Sequence, residues 1–224
     1  MHKYLAIQST YDSFEIGFFI NNELCDSIRD DKWHTSSLLI PYIEQLMTRH
    51  AVTLNDISFI TVNCGPAPFS SLRSLLATVN GLHYATKIPL ISLDGLKATF
   101  SEFYDPVYEN TVTLLNAFNN ELYYLVAHKE KIIREGYKDA LSLFNELHET
   151  IPSFEFIHFF GNGTALHKEQ IEKIFGSYAV VNHPIPQMCS LGFLGYLGLA
   201  AFKSNEYEGG YLKPLHLKKH PVEQ

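Results

Sequence analysis

Short stretches of strand-like character alternate with longer amphipathic stretches along the chain. Apolar residues of a strand recur at every second position because its side chains point alternately to opposite faces. This pattern predicts strands at residues 4–7, 14–20 and 23–28, with a hairpin turn at Asn21-Asn22. Three strands therefore open the chain before the first helical pattern begins.

Two helices with broad apolar stripes are predicted next in the first half. The first covers residues 38–47, with Pro41 expected in its first turn, and the second begins after the strand 57–63 and the turn Gly65-Pro66. A further strand at 88–92 and a helix at 96–103 follow. The apolar positions of the two stripes are Leu38, Leu39, Tyr42, Ile43, Leu46 and Met47, and then Leu72, Leu75, Leu76, Val79 and Leu82.

The same order of patterns starts again after the break at Asp105-Pro106. A βββαβαβα order that occurs twice predicts an α/β protein with a duplicated ribonuclease H-like fold, the architecture of the actin-like ATPases (ASKHA). We expect a first half at 1–104 with the apolar helix 187–203 packed back on it, a second, smaller half at 105–186, and a tail at 204–224. The second set of predicted elements is strands 111–117, 122–128 and 131–137, helix 140–147, strand 156–160, helix 166–175, strand 178–181 and helix 188–202.

Composition narrows the function classes. Of the 224 residues 46% are hydrophobic, which provides for a buried core, and the formal net charge of −7 argues against a direct grip on nucleic acid. Three widely spaced cysteines suggest neither a disulfide framework nor a zinc site. The strand-like start and the lack of an apolar run of ~20 residues predict a cytoplasmic protein that does not enter a membrane.

The turn at Gly65-Pro66 lies before a helix N-terminus, where an anion can bind. The same pattern is typical of a plain α/β connection, and Arg73 suits either a phosphate contact or the anchoring of a loop or partner. The first strand ends in Gln8, where ATP-binding members of this architecture carry an Asp that orients magnesium. A neutral amide is a poor magnesium ligand, so we do not expect independent ATP hydrolysis.

Other catalytic arrangements find little support. His34 has no second histidine three or four positions away, and the close pair His216 and His220 lies in the expected tail. The chain has no G-x-S-x-G motif, and Ser70 and Ser71 suit helix capping. We therefore predict no catalytic residue and no metal ligand. The two broad stripes instead indicate either simple coverage of the sheet or an interface with another protein.

Several motifs resemble those of one bacterial family, the TsaB (YeaZ-type) proteins, over nearly the whole chain. GPAPFSSLR at residues 65–73 resembles the family's GPGSFTGLR, and YLAIQSTY at 4–11 is similar to ILAIDTST. NAFNNELY at 116–123 resembles DARRGEVY. His34 before a leucine-rich helix is a further match to the family. Weaker matches are Gly161 with Gly163 as a late G-x-G, and PLHLK at 214–218 for P-x-Y-x-R.

The resemblance implies a duplicated actin-like fold without catalytic activity of its own. Such a protein supports TsaD, the metal enzyme that places a threonylcarbamoyl group on the adenosine beside the anticodon of tRNA. TsaE, an ATPase, binds the pair, and the protein forms homodimers through the same surface when alone. The alternatives are an ATP-binding kinase or ATPase of the same architecture and a peptidase-like metalloprotein.

We expect the partner face on the two helices of the first half, with the turn that precedes the second helix orienting it. No cofactor is expected for the chain alone, and the departures at Gln8 and Pro68 argue against a nucleotide at a subunit interface. Ala67, Ser70 and Ser71 also depart from the family motif, so the chain resembles a divergent member. The expected interface residues are Leu38, Leu39, Tyr42, Leu46, Leu72, Leu75, Leu76, Val79 and His83, and the turn residues are Gly65, Pro66, Phe69 and Arg73.

Overall fold

A computed structural model describes residues 1–152 and 154–215 of the chain. It divides into two compact units. Unit 1 consists of Met1–Ala98 with Ser190–Leu215, and the described part of unit 2 is Thr99–Cys189. The helices of the described residues do not combine the length and apolar character needed to cross a membrane.

Unit 1 is built on a mixed sheet with strand order β3-β2-β1-β4-β5. Strand β1 pairs antiparallel with β2 and parallel with β4. Parallel strands need a crossover connection, and the chain between β1 and β4 contains β2, β3 and the helix α1. The elements are β1 (Lys3–Ser9), β2 (Ser13–Ile20), β3 (Glu23–Asp31), α1 (Thr35–Arg49), β4 (Phe59–Asn63), α2 (Phe69–Thr86), β5 (Leu90–Leu93) and α3 (Gly95–Phe103). The division between the units falls inside α3.

Helices cover both faces of the unit 1 sheet. Helices α1 and α2 bury their apolar stripes with alternate residues of β1, β2 and β4 in one core. The opposite face carries the last helix of the chain, α7 (Leu191–Ser204). An ideal Cβ on Gly195 would lie 2.5 Å from the ring of Phe19, and one on Gly198 would lie 2.5 Å from Thr61. The glycines of α7 therefore let it approach the sheet closely.

Unit 2 repeats this topology with strand order β10-β9-β6-β7-β8. Its core lies between the sheet and the helices α4 and α6, with Phe144 and Phe159 fully buried. The elements are β6 (Asn110–Asn116), β7 (Glu121–His128), β8 (Lys131–Asp139), α4 (Ala140–Thr150), β9 (Ile157–Phe160), α5 (Asn162–Leu166), α6 (Lys168–Phe175) and β10 (Ala179–Val180). The prediction of a duplicated α/β fold is confirmed.

Local predictions were wrong in three places. Ser70 and Ser71 do not cap α2, because the helix already begins at Phe69 with Pro68 at its N-cap position and no side-chain capping bond. Pro41 lies inside α1 and not in its first turn, because the helix already begins at Thr35. The helix expected at 166–175 begins only at Lys168, as α6, because His167 lies outside helical geometry and separates it from the short helix α5, which was not predicted. The expected domain ranges stay predictions, and residues 216–224 of the expected tail lie outside the described residues.

Candidate interaction surface

The turn between β4 and α2 is fixed by close backbone contacts. Gly65 has a φ of +118° and precedes a cis peptide bond to Pro66. An ideal Cβ on Gly65 would lie 2.9 Å from the carbonyl oxygen of Leu215, so the close approach of this segment requires glycine. The side-chain oxygen of Asn63 accepts a hydrogen bond from the Gly65 N–H at 3.0 Å. The conformation of the turn is therefore fixed by its contacts with Asn63 and Leu215.

Buried polar groups lie at the carboxyl ends of β1 and β4. The Gln8 amide, 1% exposed, donates to Glu15 Oε2 at 2.7 Å. Glu15 comes to this place because it is the register partner of Gln8 on β2, which sequence reasoning missed. Its carboxylate also faces Arg29 at 3.6 Å. Nearby, the Ser9 hydroxyl donates to that of Ser71 at 2.8 Å.

The cysteine of this region is not a reactive thiol. Burial raises the pKa of Cys64 to about 11, so its thiol stays protonated at neutral pH. In the part of the chain that the structure describes, no group of three or more His, Cys, Asp or Glu side chains is arranged to hold a metal ion. The pair His216 and His220 lies outside that part.

Most of the apolar residues expected at a partner face lie inside unit 1. Their side chains pack against the sheet, so they do not reach the surface of this chain. Among the expected residues, Leu38, Tyr42 and His83 are half-buried and so remain accessible. The residues found in the core are Leu39, Leu46, Leu72, Leu75, Leu76 and Val79.

The accessible residues of that set are held by specific contacts. The Tyr42 hydroxyl donates to Asp30 Oδ2 at 2.6 Å, and this hydrogen bond lowers the pKa of Asp30 and raises that of Tyr42. His34 Nδ1 lies 3.2 Å from the other oxygen of Asp30. His83 Nδ1 donates to the carbonyl oxygen of Ile88 at 2.8 Å. These contacts orient the ends of α1 and α2.

The outward face of α2 exposes residues that the apolar stripe did not reveal. Phe69 is 58% exposed and Tyr84 is 67% exposed, and Arg73 and Ala77 lie between them at helical spacing. The neighbouring helix α1 exposes Ile40. We call the outward face of α2, from Phe69 to Tyr84, the α2 face. Sequence periodicity missed it because the strongest apolar repeat marks the buried side of a helix.

The last described residues form a strap along α2. Leu212 N–H donates to Asn80 Oδ1 at 2.8 Å, and Asn80 Nδ2 donates back to the Leu212 carbonyl at 3.0 Å. The Leu212 side chain is buried in the unit 1 core, and the ring of Tyr211 contacts that of His83. Leu215 N–H then donates to the Cys64 carbonyl. We call residues 211–215 the strap.

Comparison with solved structures identifies the class of fold. YeaZ from Pseudomonas aeruginosa superposes with a TM-score of 0.68 at 18% identity, covering 97% of this chain and all of that one. A putative N-acetylmannosamine kinase from Listeria monocytogenes superposes with a TM-score of 0.52 at 10% identity, covering 91% of this chain and 99% of that one. The chain thus has the duplicated fold of the actin-like ATPases.

Comparison with sequences identifies the family. The family described as "TsaD: tRNA N6-adenosine threonylcarbamoyltransferase" matches residues 31–195, and the chain belongs to it. A TsaB protein of tRNA threonylcarbamoyladenosine biosynthesis from Buchnera aphidicola is 27% identical over 94 residues, or 41% of this chain. Its Haemophilus influenzae counterpart is 26% identical over 100 residues, or 44% of this chain. The aligned segment spans 42% of the length of each relative. Within the family, the chain is a TsaB (YeaZ-type) member.

Proposed function

We propose that the chain acts in the formation of threonylcarbamoyladenosine in tRNA, as a non-catalytic subunit that binds and supports TsaD. The observation that carries this proposal is the family match over residues 31–195, which includes α1, the turn and α2. The curated relatives named for this biosynthesis support the same role. With a net charge of −7, the chain is proposed to reach tRNA through its partner and not by a basic surface of its own.

The contact with TsaD is proposed to use the α2 face together with Leu38, Tyr42 and His83. Exposed aromatic residues and arginine are enriched at the centres of protein interfaces. Phe69 and Arg73 fit this description, and the arginine lies over the ring with its Cζ 4.9 Å from the ring centroid. The buried leucines of both helices have a supporting role, since they hold the helices on the sheet. Gly65 and Pro66 orient α2.

Two further partner proposals follow from the family resemblance. TsaE is proposed to bind the assembled pair, and the chain is proposed to form a homodimer when TsaD is absent. Sedimentation of the chain alone, with TsaD, and with both proteins measures each association. A monomer at all concentrations would contradict the homodimer, and unchanged sedimentation on addition of TsaE would contradict the second contact.

No nucleotide is proposed for the chain alone. Gln8 occupies the position of a magnesium-orienting carboxylate, and its amide is already hydrogen-bonded to Glu15. Titration with ATP and magnesium should therefore show no saturable binding. Saturable, magnesium-dependent binding would favour the kinase or ATPase alternative. Bound zinc or iron in the purified protein would favour the peptidase-like metalloprotein.

The binding experiment uses purified TsaD from the same cell and measures affinity by calorimetry. Phe69→Glu places a charge in the centre of the proposed contact and should weaken binding by about tenfold or more. The matched control is Phe156→Glu, because Phe156 is exposed to a similar extent, 53%, but belongs to unit 2. Equal affinity for wild type and Phe69→Glu would contradict the proposed surface. No binding by the wild-type chain would contradict the proposed function.

A further inference from the structure

One continuous part of unit 1 lacks acidic residues, although the whole chain is acidic. No Asp or Glu occurs in residues 57–93, which include β4, the turn, α2 and β5. The segment 209–215, which contains the strap, has none either. Arg73 and Lys87 lie in the first segment and Lys213 in the second, and all three are exposed.

These three cations have no carboxylate partner in residues 1–152 and 154–215. Arg73 lies over Phe69, and Lys87 Nζ lies 4.9 Å from the ring centroid of Tyr84. Lys131, Lys173 and Lys203 likewise lack a carboxylate partner in these ranges, whereas several other cations of the described residues are paired. Examples are Arg29 with Asp12, Arg49 with Asp26 and Lys129 with Glu109.

The strap extends this basic and aromatic surface along α2. The two hydrogen bonds between Asn80 and Leu212 fix Lys213 next to the helix. Tyr211, 59% exposed, lies against His83 near the end of α2 that carries Tyr84. Leu215 is held at the other end, beside the turn that precedes Phe69. Each end of this 18-residue helix thus carries an exposed ring with a cation over it: Phe69 with Arg73 at the start, and Tyr84 with Lys87 at the end.

A surface of this composition suits a partner that offers carboxylates between apolar side chains. Carboxylates form short, charge-assisted hydrogen bonds with arginine, and the rings hold each cation in place before binding. A second copy of the chain fits less well. A two-fold symmetric contact brings the same patch of both subunits together, so Arg73, Lys87 and Lys213 would face like charges.

We propose that the α2 face and the strap form one docking surface for an acidic, apolar face of a different protein, with carboxylates opposite Arg73 and Lys87. This inference rests on the proposed function, since it specifies the chemistry of the surface that TsaD presents. If the homodimer proposed above uses this same surface, it should be weaker at low ionic strength than at high ionic strength. Salt screens exposed charges, so ionic strength separates the two kinds of contact.

The experiment measures the affinity of TsaD for wild type, Arg73→Glu, Lys87→Glu and Lys203→Glu at about 50 mM and about 300 mM NaCl. Lys203 is the matched control, because it is an exposed lysine in the last turn of α7, which packs on the opposite face of the sheet. Each of the first two reversals should weaken binding by about tenfold at low salt and by less at high salt. Lys203→Glu should bind like wild type.

Three outcomes would overturn the inference. If wild type binds TsaD and neither Arg73→Glu nor Lys87→Glu changes the affinity, the acidic partner face is contradicted and the proposed function is not. Self-association of the chain that strengthens at low salt and disappears in Arg73→Glu would assign the surface to a second copy. Absence of wild-type binding to TsaD would remove the proposed function and this inference together. Thermal unfolding of each variant checks that the fold is unchanged.

Discussion

The two units share a strand order but differ in the helix that follows the fourth strand. In unit 1 this helix is α2, unbroken over 18 residues and with exposed rings. Its Arg73 and the following Lys87 have no carboxylate partner among the residues that the structure describes. In unit 2 the equivalent segment is divided into α5 and α6. Lys168 and Glu172 on α6 form an ion pair at 3.5 Å. The same topology thus supports one long helix in unit 1 and two short helices in unit 2, the second of which carries an ion pair.

The helix α4 shows the same contrast. Its Glu146 pairs with both Arg134 and Lys138 of β8, and these contacts lower the pKa of Glu146. Such exposed pairs add little to stability, but these three side chains already have charge partners within unit 2. The comparison teaches that the fold alone does not define an interface. The α2 face differs from α4 and α6 in its acidic residues, because α2 contains none, whereas α4 and α6 each contain two glutamates.

The largest expected effect separates the core of α2 from its face. Leu75 is fully buried, so Leu75→Glu should destabilise unit 1 by at least about 3 kcal/mol. Leu147→Glu, at a fully buried position of α4, should do the same in unit 2. Chemical denaturation measures both. If Leu75→Glu kept its stability and lost only TsaD binding, Leu75 would belong to the partner face and the burial argument would fail.

A substitution in the turn before α2 should lower the stability of unit 1 nearly as much as one in its core. Gly65→Ala combines a positive φ with a Cβ that would meet the Leu215 carbonyl, and should cost about 1–3 kcal/mol. The matched control is Gly81→Ala, where a Cβ meets no atom within 4 Å and should stabilise the helix by about 0.5–1 kcal/mol. Denaturation curves measure both changes, and equal effects would contradict the role of the strap at the turn.

A smaller effect tests the strap directly. Asn80→Ala removes both hydrogen bonds to Leu212 and should cost about 1–2 kcal/mol. Asn80→Asp keeps the acceptor for the Leu212 N–H and should lose less. Amide exchange at Leu212 and Leu215 should accelerate in Asn80→Ala before global unfolding. Unchanged protection at both amides would show that the strap is held by other contacts.

The smallest expected effect is a pH dependence confined to unit 2. Burial lowers the pKa of His158 below its ordinary value of 6.5, against a partial opposing effect of Asp105. The unfolded chain then binds the proton more readily, so this contribution to stability is lost as pH falls below about 6.5. The free energy of unfolding should fall more steeply from pH 7 to pH 5 in wild type than in His158→Gln. The same pH dependence of unfolding free energy in wild type and His158→Gln would contradict this role of His158.

The fold could be predicted from the sequence because strand alternation and the two broad helical stripes reflect burial directly. The α2 face could not, because the same stripes mark its buried side. Phe69 and Tyr84 lie off the stripe, and single exposed aromatic residues are common on protein surfaces. The lack of partners for Arg73 also becomes visible only in three dimensions. The strap has no periodicity, and a single amide at Asn80 fixes it.

The most direct test of the proposed role measures threonylcarbamoyladenosine in tRNA. Cells depleted of the chain are supplied with wild type, Phe69→Glu or Phe156→Glu, and the tRNA nucleosides are quantified by mass spectrometry. The modification should fall on depletion and return with wild type and Phe156→Glu, but not with Phe69→Glu. Undiminished modification in the depleted cells would contradict the account.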